Sequence, residues 1–313
     1  MPKTIKPFSV RALVSSIGLI IGLAGMAFLL RTMWTHRDEM KDSFSLLTWP
    51  SLIGSVVFAF MSMSYLGWMW GRQLLRRGYT VPRAQLVSWY YTGQLGKYVP
   101  GGIWAVVGRA EMAVRGGVPR ADAYSVTGLS MFTTYSAAAL CASLGSLVAW
   151  ERPFIGAALL LALLVGLSVY AIAPLRQRII SLLRKVTSGT NELTSPKDLI
   201  ALTVVQVPAW IMISLSTTIT ARAFGADVGV LHMFFVSSLS WLIGFLVVGA
   251  PGGLGVRESV FTGLLSASIG TSTALSLAIA SRMIFVTVDF LGALIFNVVA
   301  RKMKPAVSEA PTQ

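Results

Sequence analysis

Residues 93–102 read GQLGKYVPGG and residues 251–258 read PGGLGVRE. Each stretch places a Pro-Gly-Gly triplet inside an apolar segment, Pro100-Gly101-Gly102 within Val81–Arg115 and Pro251-Gly252-Gly253 within His232–Gly270. Proline lacks the N–H that an α-helix needs, and glycine weakens helix by its backbone entropy. Each triplet therefore predicts a helix broken near its middle. Two such breaks inside apolar sequence point to two helical hairpins that enter and leave a membrane on the same side.

The surroundings of these stretches are equally apolar. Six segments reach the length of about 20 apolar residues that a hydrocarbon core demands. They are Val10–Leu30, Pro50–Trp70, Ala123–Ala149, Phe154–Ala173, Leu199–Ala221 and Ala274–Ala300. Of the 313 residues 55% are hydrophobic and only 12% charged, with a mean hydropathy of +0.71. Soluble domains carry about a quarter charged residues, so a water-facing coat is missing. The expected fold is an all-α, polytopic integral membrane bundle with six spans plus two re-entrant hairpins. Val10–Leu30 exceeds a signal-peptide h-region of about 7–15 residues, so it reads as an uncleaved first span.

A net charge of +14 could suggest nucleic acid. The basic residues instead flank apolar segments, as the positive-inside rule expects. Lys3, Lys6 and Arg11 mark the first end as cytoplasmic, as do Arg72, Arg76, Arg77 and Arg83 after the second span. Arg109, Arg115 and Arg120 follow the first broken segment and fit the same side. Arg176, Arg178, Arg184, Lys185 and Lys197 do so after the fourth span, and Arg301, Lys302 and Lys304 after the sixth. Both termini are expected in the cytoplasm and the protein in the plasma membrane. Cys141 is the single cysteine, and the two histidines, His36 and His232, match no metal spacing. No cofactor is implied.

The two prolines stand 151 positions apart, and that shift carries Pro50–Trp70 to 201–221 and Ala123–Ala149 to 274–300. The chain thus reads as one membrane domain, 1–313, with repeats of about 1–150 and 151–303 and a polar cytoplasmic tail, 304–313. Each repeat holds three spans, an odd number, so the second should be inverted relative to the first. Inverted repeats with broken helices at the midplane are a transporter architecture.

Half-helices that begin at membrane depth expose backbone N–H groups and a positive end to anions. Gly101, Gly102, Gly252 and Gly253 would let a phosphate approach that backbone. Arg257 could grip the phosphate, with Glu258 as its counter-charge. Arg109 and Glu111 occupy the matching stretch of the first half, and Lys97 precedes its break by three residues. Arg282 and Asp289 lie seven residues apart in the sixth span, on one helix face. Charges at that depth are too costly to face lipid and mark function by default. Glu111, Glu258 and Asp289 are candidates for a coupling proton. Gly18 and Gly22 suit close helix packing, Pro208 should kink the fifth span, and Trp49, Trp68, Trp70 and Trp150 suit an aromatic belt. Asp38, Glu39 and Asp42 read as a solvated outside loop.

At Pro251–Glu258, and again at Gly93–Gly102 with Arg109 behind it, the chain resembles the lysylphosphatidylglycerol synthase transmembrane-region family, also called flippase-like or UPF0104. The resemblance covers nearly the whole chain. It implies a bacterial or archaeal plasma-membrane protein that moves or presents a lipid headgroup. In the multiple peptide resistance factor such a domain precedes a soluble aminoacyl-transferase domain. Here the sequence ends at Gln313, shortly after the last span, so lysylation by this chain alone is not expected. The leading expectation is a flippase-like protein that binds and translocates an anionic lipid or polyprenyl-phosphate-linked headgroup. The alternative is a membrane-embedded transferase, or an accessory subunit partnering a glycosyltransferase or other envelope-synthesis enzyme. Against autonomous catalysis, the sequence has no Asp-x-Asp and no His-Glu pair.

Topology gives the first test. In a variant lacking Cys141, cysteines introduced after Arg77 and after Arg115 should both be labelled from the cytoplasmic side. Labelling after Arg115 only from outside would mean that the first broken segment crosses.

Overall fold

The computed structural model describes residues 30–31, 34–35, 37–45, 48–99, 103–178, 181, 194–247, 251–302 and 308–309. The first expected span, with Gly18 and Gly22, lies outside these residues apart from Leu30. So do Pro100, Gly101 and Gly102. Between its turns and connections the described chain is helical, and its strands are limited to a two-residue antiparallel pairing of Tyr79–Thr80 with Ser308–Glu309.

In chain order the helices are α1 (Arg37–Ser45), α2 (Trp49–Arg76), α3 (Arg83–Gln94), α4 (Trp104–Arg115), α5 (Arg120–Val148) and α6 (Pro153–Ala171). They continue with α7 (Pro196–Val204), α8 (Val207–Ala223), α9 (Val230–Leu246), α10 (Val256–Ile269) and α11 (Thr271–Arg301). Among the described residues five helical stretches are long and apolar enough to cross a membrane: α2, α5, α6, α7 with α8, and α11. They coincide with five of the six expected spans.

The fourth of these, the fifth expected span, bends where Pro208 predicted it would. Proline has no N–H to return to Val204, and Ala209 N–H bonds to the Gln206 carbonyl rather than to Val205. The released Val205 carbonyl accepts the Tyr65 hydroxyl of α2 at 2.7 Å. A cross-helix bond thus repairs the break.

Helix is interrupted in both broken segments. α3 ends at Gln94, a 3₁₀ turn covers Leu95–Tyr98, and α4 resumes at Trp104. α9 ends at Leu246, Pro251–Gly253 form a second 3₁₀ turn, and α10 starts at Val256. Gly252 and Gly253 hold φ of +55° and +69°, backbone that favours glycine. The arms of 12, 12, 17 and 14 residues extend about 18–26 Å at 1.5 Å per residue, short of a core about 30 Å thick. α5 begins at 120 and α11 at 271, 151 positions on.

Side-chain contacts fix which helix ends lie together. Arg77, just past α2, pairs with Asp122 at the start of α5 and bonds Ser125 at 3.1 Å. The residues that flank the first broken segment are therefore held together. At the far end of α5, Glu151 lies 3.6 Å from His232, where α9 starts, and Arg152 donates to the Gly263 carbonyl. α8 runs antiparallel to α2, with Thr220 bonded to Ser55 near one end and Tyr65 to Val205 near the other.

Two sequence expectations are corrected. Trp70 is no belt residue: it is fully buried and donates from Nε1 to Thr127 at 3.1 Å. Trp68 and Trp70 sit two residues apart, and so about 200° apart around the helix, on different faces. Trp49 and Trp150 are exposed, at 78% and 77%. The stretch holding Asp38 and Glu39 is not a plain loop but α1, held to the bundle by an edge contact between Phe44 and Phe224. Asp38 lies within ion-pair reach of Arg37 and Lys41.

Around Tyr91 the core is tightly closed. This ring stacks on Phe60 and Phe296, its hydroxyl meets Ser64 at 3.0 Å, and a Cβ at Gly292 would lie 2.2 Å from it. Gly292→Ala should lower stability by about 1–3 kcal/mol through overpacking. Gly128→Ala, with no atom within 4 Å of the added carbon, should be neutral or gain up to about 1 kcal/mol. Thermal unfolding in detergent compares the two; equal midpoints would contradict this packing.

Candidate functional site

The second break gathers charge from two helices. Arg257 and Glu258 open α10, and Arg282 and Asp289 come from the middle of α11. Glu258 reaches back to accept the Gly255 N–H at 2.8 Å, which caps α10. Its other oxygen accepts Arg282 at 2.7 Å, and Arg282 also reaches the Gly252 carbonyl at 3.3 Å. The charge pairs are thus built into the break itself.

The first break supplies the remaining partner. Lys97, in the 3₁₀ turn after α3, places Nζ 2.5 Å from Asp289 Oδ2, and the Tyr98 hydroxyl donates to the same oxygen at 2.6 Å. Asp289 is fully buried and its Oδ1 has no hydrogen-bond partner. A carboxylate from the second half thereby holds an ammonium from the first. Seven residues separate Arg282 from Asp289, so one face of α11 serves both breaks.

Arg257 and Arg109 are treated differently. Both are buried, at 8% and 6% exposure, yet neither forms an ion pair among the described residues. Arg257 lies over the Trp241 ring at 4.4 Å and the Phe285 ring at 5.5 Å, and donates to Ser281 at 3.3 Å. Arg109 lies over Tyr90 at 4.1 Å and donates to Gln94 at 3.2 Å, while its Nε has no partner. Aromatic faces attract cations and desolvate them without neutralising them. Their charge remains available to an anion.

The two halves solve this packing alike. A Cβ at Gly93 would lie 2.7 Å from the Arg109 backbone nitrogen, and one at Gly244 3.0 Å from the Arg257 Cβ. Glycine lets the two arms of each broken helix touch. One turn earlier stands the aromatic that takes the guanidinium, Tyr90 or Trp241. Both the glycines and the aromatics are related by the same shift of 151.

These groups face two adjoining cavities. A narrow one of about 20 Å³ is lined by Lys97, Trp241, Gly252, Arg257 and Arg282 among others. A larger one of about 110 Å³ is lined by Tyr90, Lys97, Arg109, Trp210, Trp241 and Gly253, with further apolar residues. Trp210 and Trp241 are buried with indole N–H groups that lack partners. Counting Lys97, Arg109, Arg257 and Arg282 against Glu258 and Asp289 leaves four positive charges to two negative.

Of the residues singled out in sequence, Lys97, Arg109, Gly252, Gly253, Arg257, Glu258, Arg282 and Asp289 are brought together. Gly101 and Gly102 lie outside the described residues. Glu111 is not brought to the cavities: it accepts Tyr124 at 2.6 Å and Arg120 at 2.7 Å on a part-exposed face. Two residues along a helix is about 200° of rotation, so Arg109 and Glu111 diverge. Tyr90, Gln94, Tyr98, Trp241 and Ser281 were missed. Among the described residues no group of three or more His, Cys, Asp or Glu could hold a metal.

The Lys97–Asp289 pair gives a stability test. Asp289→Asn would strand a buried ammonium and should cost about 3–5 kcal/mol, whereas Lys97→Met with Asp289→Leu should recover most of that loss. Unfolding midpoints of the single and double variants decide it; a double variant no better than Asp289→Asn would contradict the pairing.

The family described as the lysylphosphatidylglycerol synthase TM region matches residues 15–292, a stretch that contains both broken helices and every charged residue of the cavities. No curated protein matches the chain. With most of its length covered, and five apolar membrane-length helices around the site, this chain belongs to the lysylphosphatidylglycerol synthase transmembrane-region family of membrane proteins.

Proposed function

We propose that this protein is a flippase-like transporter that takes the phosphate of an anionic lipid headgroup into the cavities between its two broken helices. The observation that carries the proposal is the pair of buried arginines, Arg109 and Arg257, that no carboxylate neutralises among the described residues. A charged group at bilayer depth costs several kcal/mol unless paired. Two guanidiniums kept without counter-ions invite a mobile anion, and guanidinium forks suit phosphate oxygens. The unpartnered indole N–H groups of Trp210 and Trp241 add neutral donors to the same space.

In this reading both broken helices are re-entrant and the halves are inverted. The Arg77–Asp122 contact supports return of the first hairpin to its starting face. The Glu151–His232 contact supports entry of the second from the opposite face. With Arg72, Arg76, Arg77 and Arg115 on the cytoplasmic side, the first hairpin opens from the cytoplasm and the second from outside. Rocking of one half against the other about the Lys97–Asp289 contact would expose the cavities to either leaflet. Glu258 and Asp289 remain the candidates to carry a coupling proton; Glu111, held at the surface, does not.

Reconstitution tests the reading. Purified protein in liposomes should move a headgroup-labelled anionic lipid between leaflets unaided. Arg257→Gln should weaken binding of a short-chain anionic lipid by roughly 10- to 100-fold, the weight of one charge-assisted bond, with little change in unfolding midpoint. An unchanged affinity beside a clear loss of stability would make Arg257 a structural brace and remove the binding role.

A further inference from the structure

A third cavity, of about 180 Å³, lies apart from the site described above, between α2 and the bend that joins α7 to α8. Its wall is formed by Met69, Arg72, Gln73, Arg76, Val205 and Gln206, with apolar residues of α7. None of these residues lines the two central cavities. Arg72 and Arg76 are exposed and sit one turn apart, so they form a cationic rim. Gln73 and Gln206 are 6% and 1% exposed and form the floor.

Those amides are the unusual feature. Neither the oxygen nor the nitrogen of Gln73 has a hydrogen-bond partner, and the oxygen of Gln206 lacks one as well. Leaving a buried polar group unsatisfied costs more than a typical hydrogen bond contributes, so such groups normally have partners. Because both ends of Gln73 are unpartnered, it offers one donor and one acceptor whichever way the amide is turned. A group that satisfies it must both accept and donate, as a hydroxyl does. The arginine rim asks for an anion, and guanidiniums favour phosphate.

We propose that this cavity is a second binding site, for a phosphodiester headgroup that ends in a free hydroxyl, with phosphate on Arg72 and Arg76 and hydroxyl on Gln73 and Gln206. The bilayer is the source that the surroundings favour. Ile200 and Val204, on α7 beside the lining, are 45% and 53% exposed, an apolar surface where acyl chains can lie. The site also touches the bend at Pro208, whose freed Val205 carbonyl is held by Tyr65. A headgroup there would bear on the angle between α7 and α8.

Lipid titration followed by native mass spectrometry tests this. The background is Arg257→Gln, compared with the same protein carrying Gln73→Met or Arg76→Gln in addition. Short-chain phosphatidylglycerol should bind the background protein, and each added change should weaken it about tenfold, one charged or doubly used hydrogen bond. Phosphatidate and phosphatidylcholine, lacking the terminal hydroxyl or the net charge, should bind at least about tenfold more weakly than phosphatidylglycerol. Binding of soluble glycerol phosphate with the same dependence on Gln73 and Arg76 would uphold the chemistry and overturn the lipid source. Affinity indifferent to both substitutions, together with a higher unfolding midpoint for Gln73→Met, would overturn the site: the amide would then be an unliganded polar defect. Because Arg257 is already changed in every arm, failure at the central cavities shows separately from failure here.

Discussion

A bilayer cannot hydrate a charge, and this chain buries, wholly or largely, six charged side chains among its membrane-length apolar helices. Every other feature of its interior follows from how they are accommodated. Four are accommodated as two pairs, Arg282 with Glu258 at 2.7 Å and Lys97 with Asp289 at 2.5 Å. The second pair joins the two halves of the molecule, so the position of the first break is tied to a carboxylate on α11. Removing one member of such a pair is far more damaging than never having had it. The register between the halves is therefore set by charge as well as by packing.

The other two groups, Arg109 and Arg257, explain the local sequence around the breaks. Each needs a surface that tolerates a cation without cancelling it, and Tyr90 and Trp241 supply one. For the ring and the guanidinium to meet, the two arms must touch, hence Gly93 and Gly244 one turn beyond the aromatics. Arms of this length fall short of a hydrocarbon core, and the longer stretches α2, α5, α7 with α8, and α11 pack against them. Short broken helices, close arms and an excess of positive charge are thus one arrangement. Its chemical consequence is a place where a phosphate would be better solvated than in the surrounding hydrocarbon.

Much of this was legible in the sequence because proline, glycine and isolated charge act through strong local rules. The interruption of both broken helices, five spans and the bend at Pro208 could all be read from residue order. What could not be read was the pairing. Asp289 was a natural partner for the arginines near it in sequence, but Lys97 of the other half takes it, a contact 192 residues distant in the chain. Trp70 looked like an interfacial tryptophan at the end of a span, yet its ring is core, because a helix turns 100° with each residue. Glu111 shared a short helix with Arg109 and still faces away. The missed aromatics had a readable signal: Tyr90–Gly93 and Trp241–Gly244 repeat with the same spacing as the prolines.

The central claim is that the excess positive charge between the breaks is there for a phosphate. A structure determined in nanodiscs containing an anionic phospholipid tests it most directly. The account predicts density for a phosphate in contact with Arg109 or Arg257, with an acyl chain leading out between the helices. Water alone around both guanidiniums, with lipid confined to the outer surface of the bundle, would contradict it.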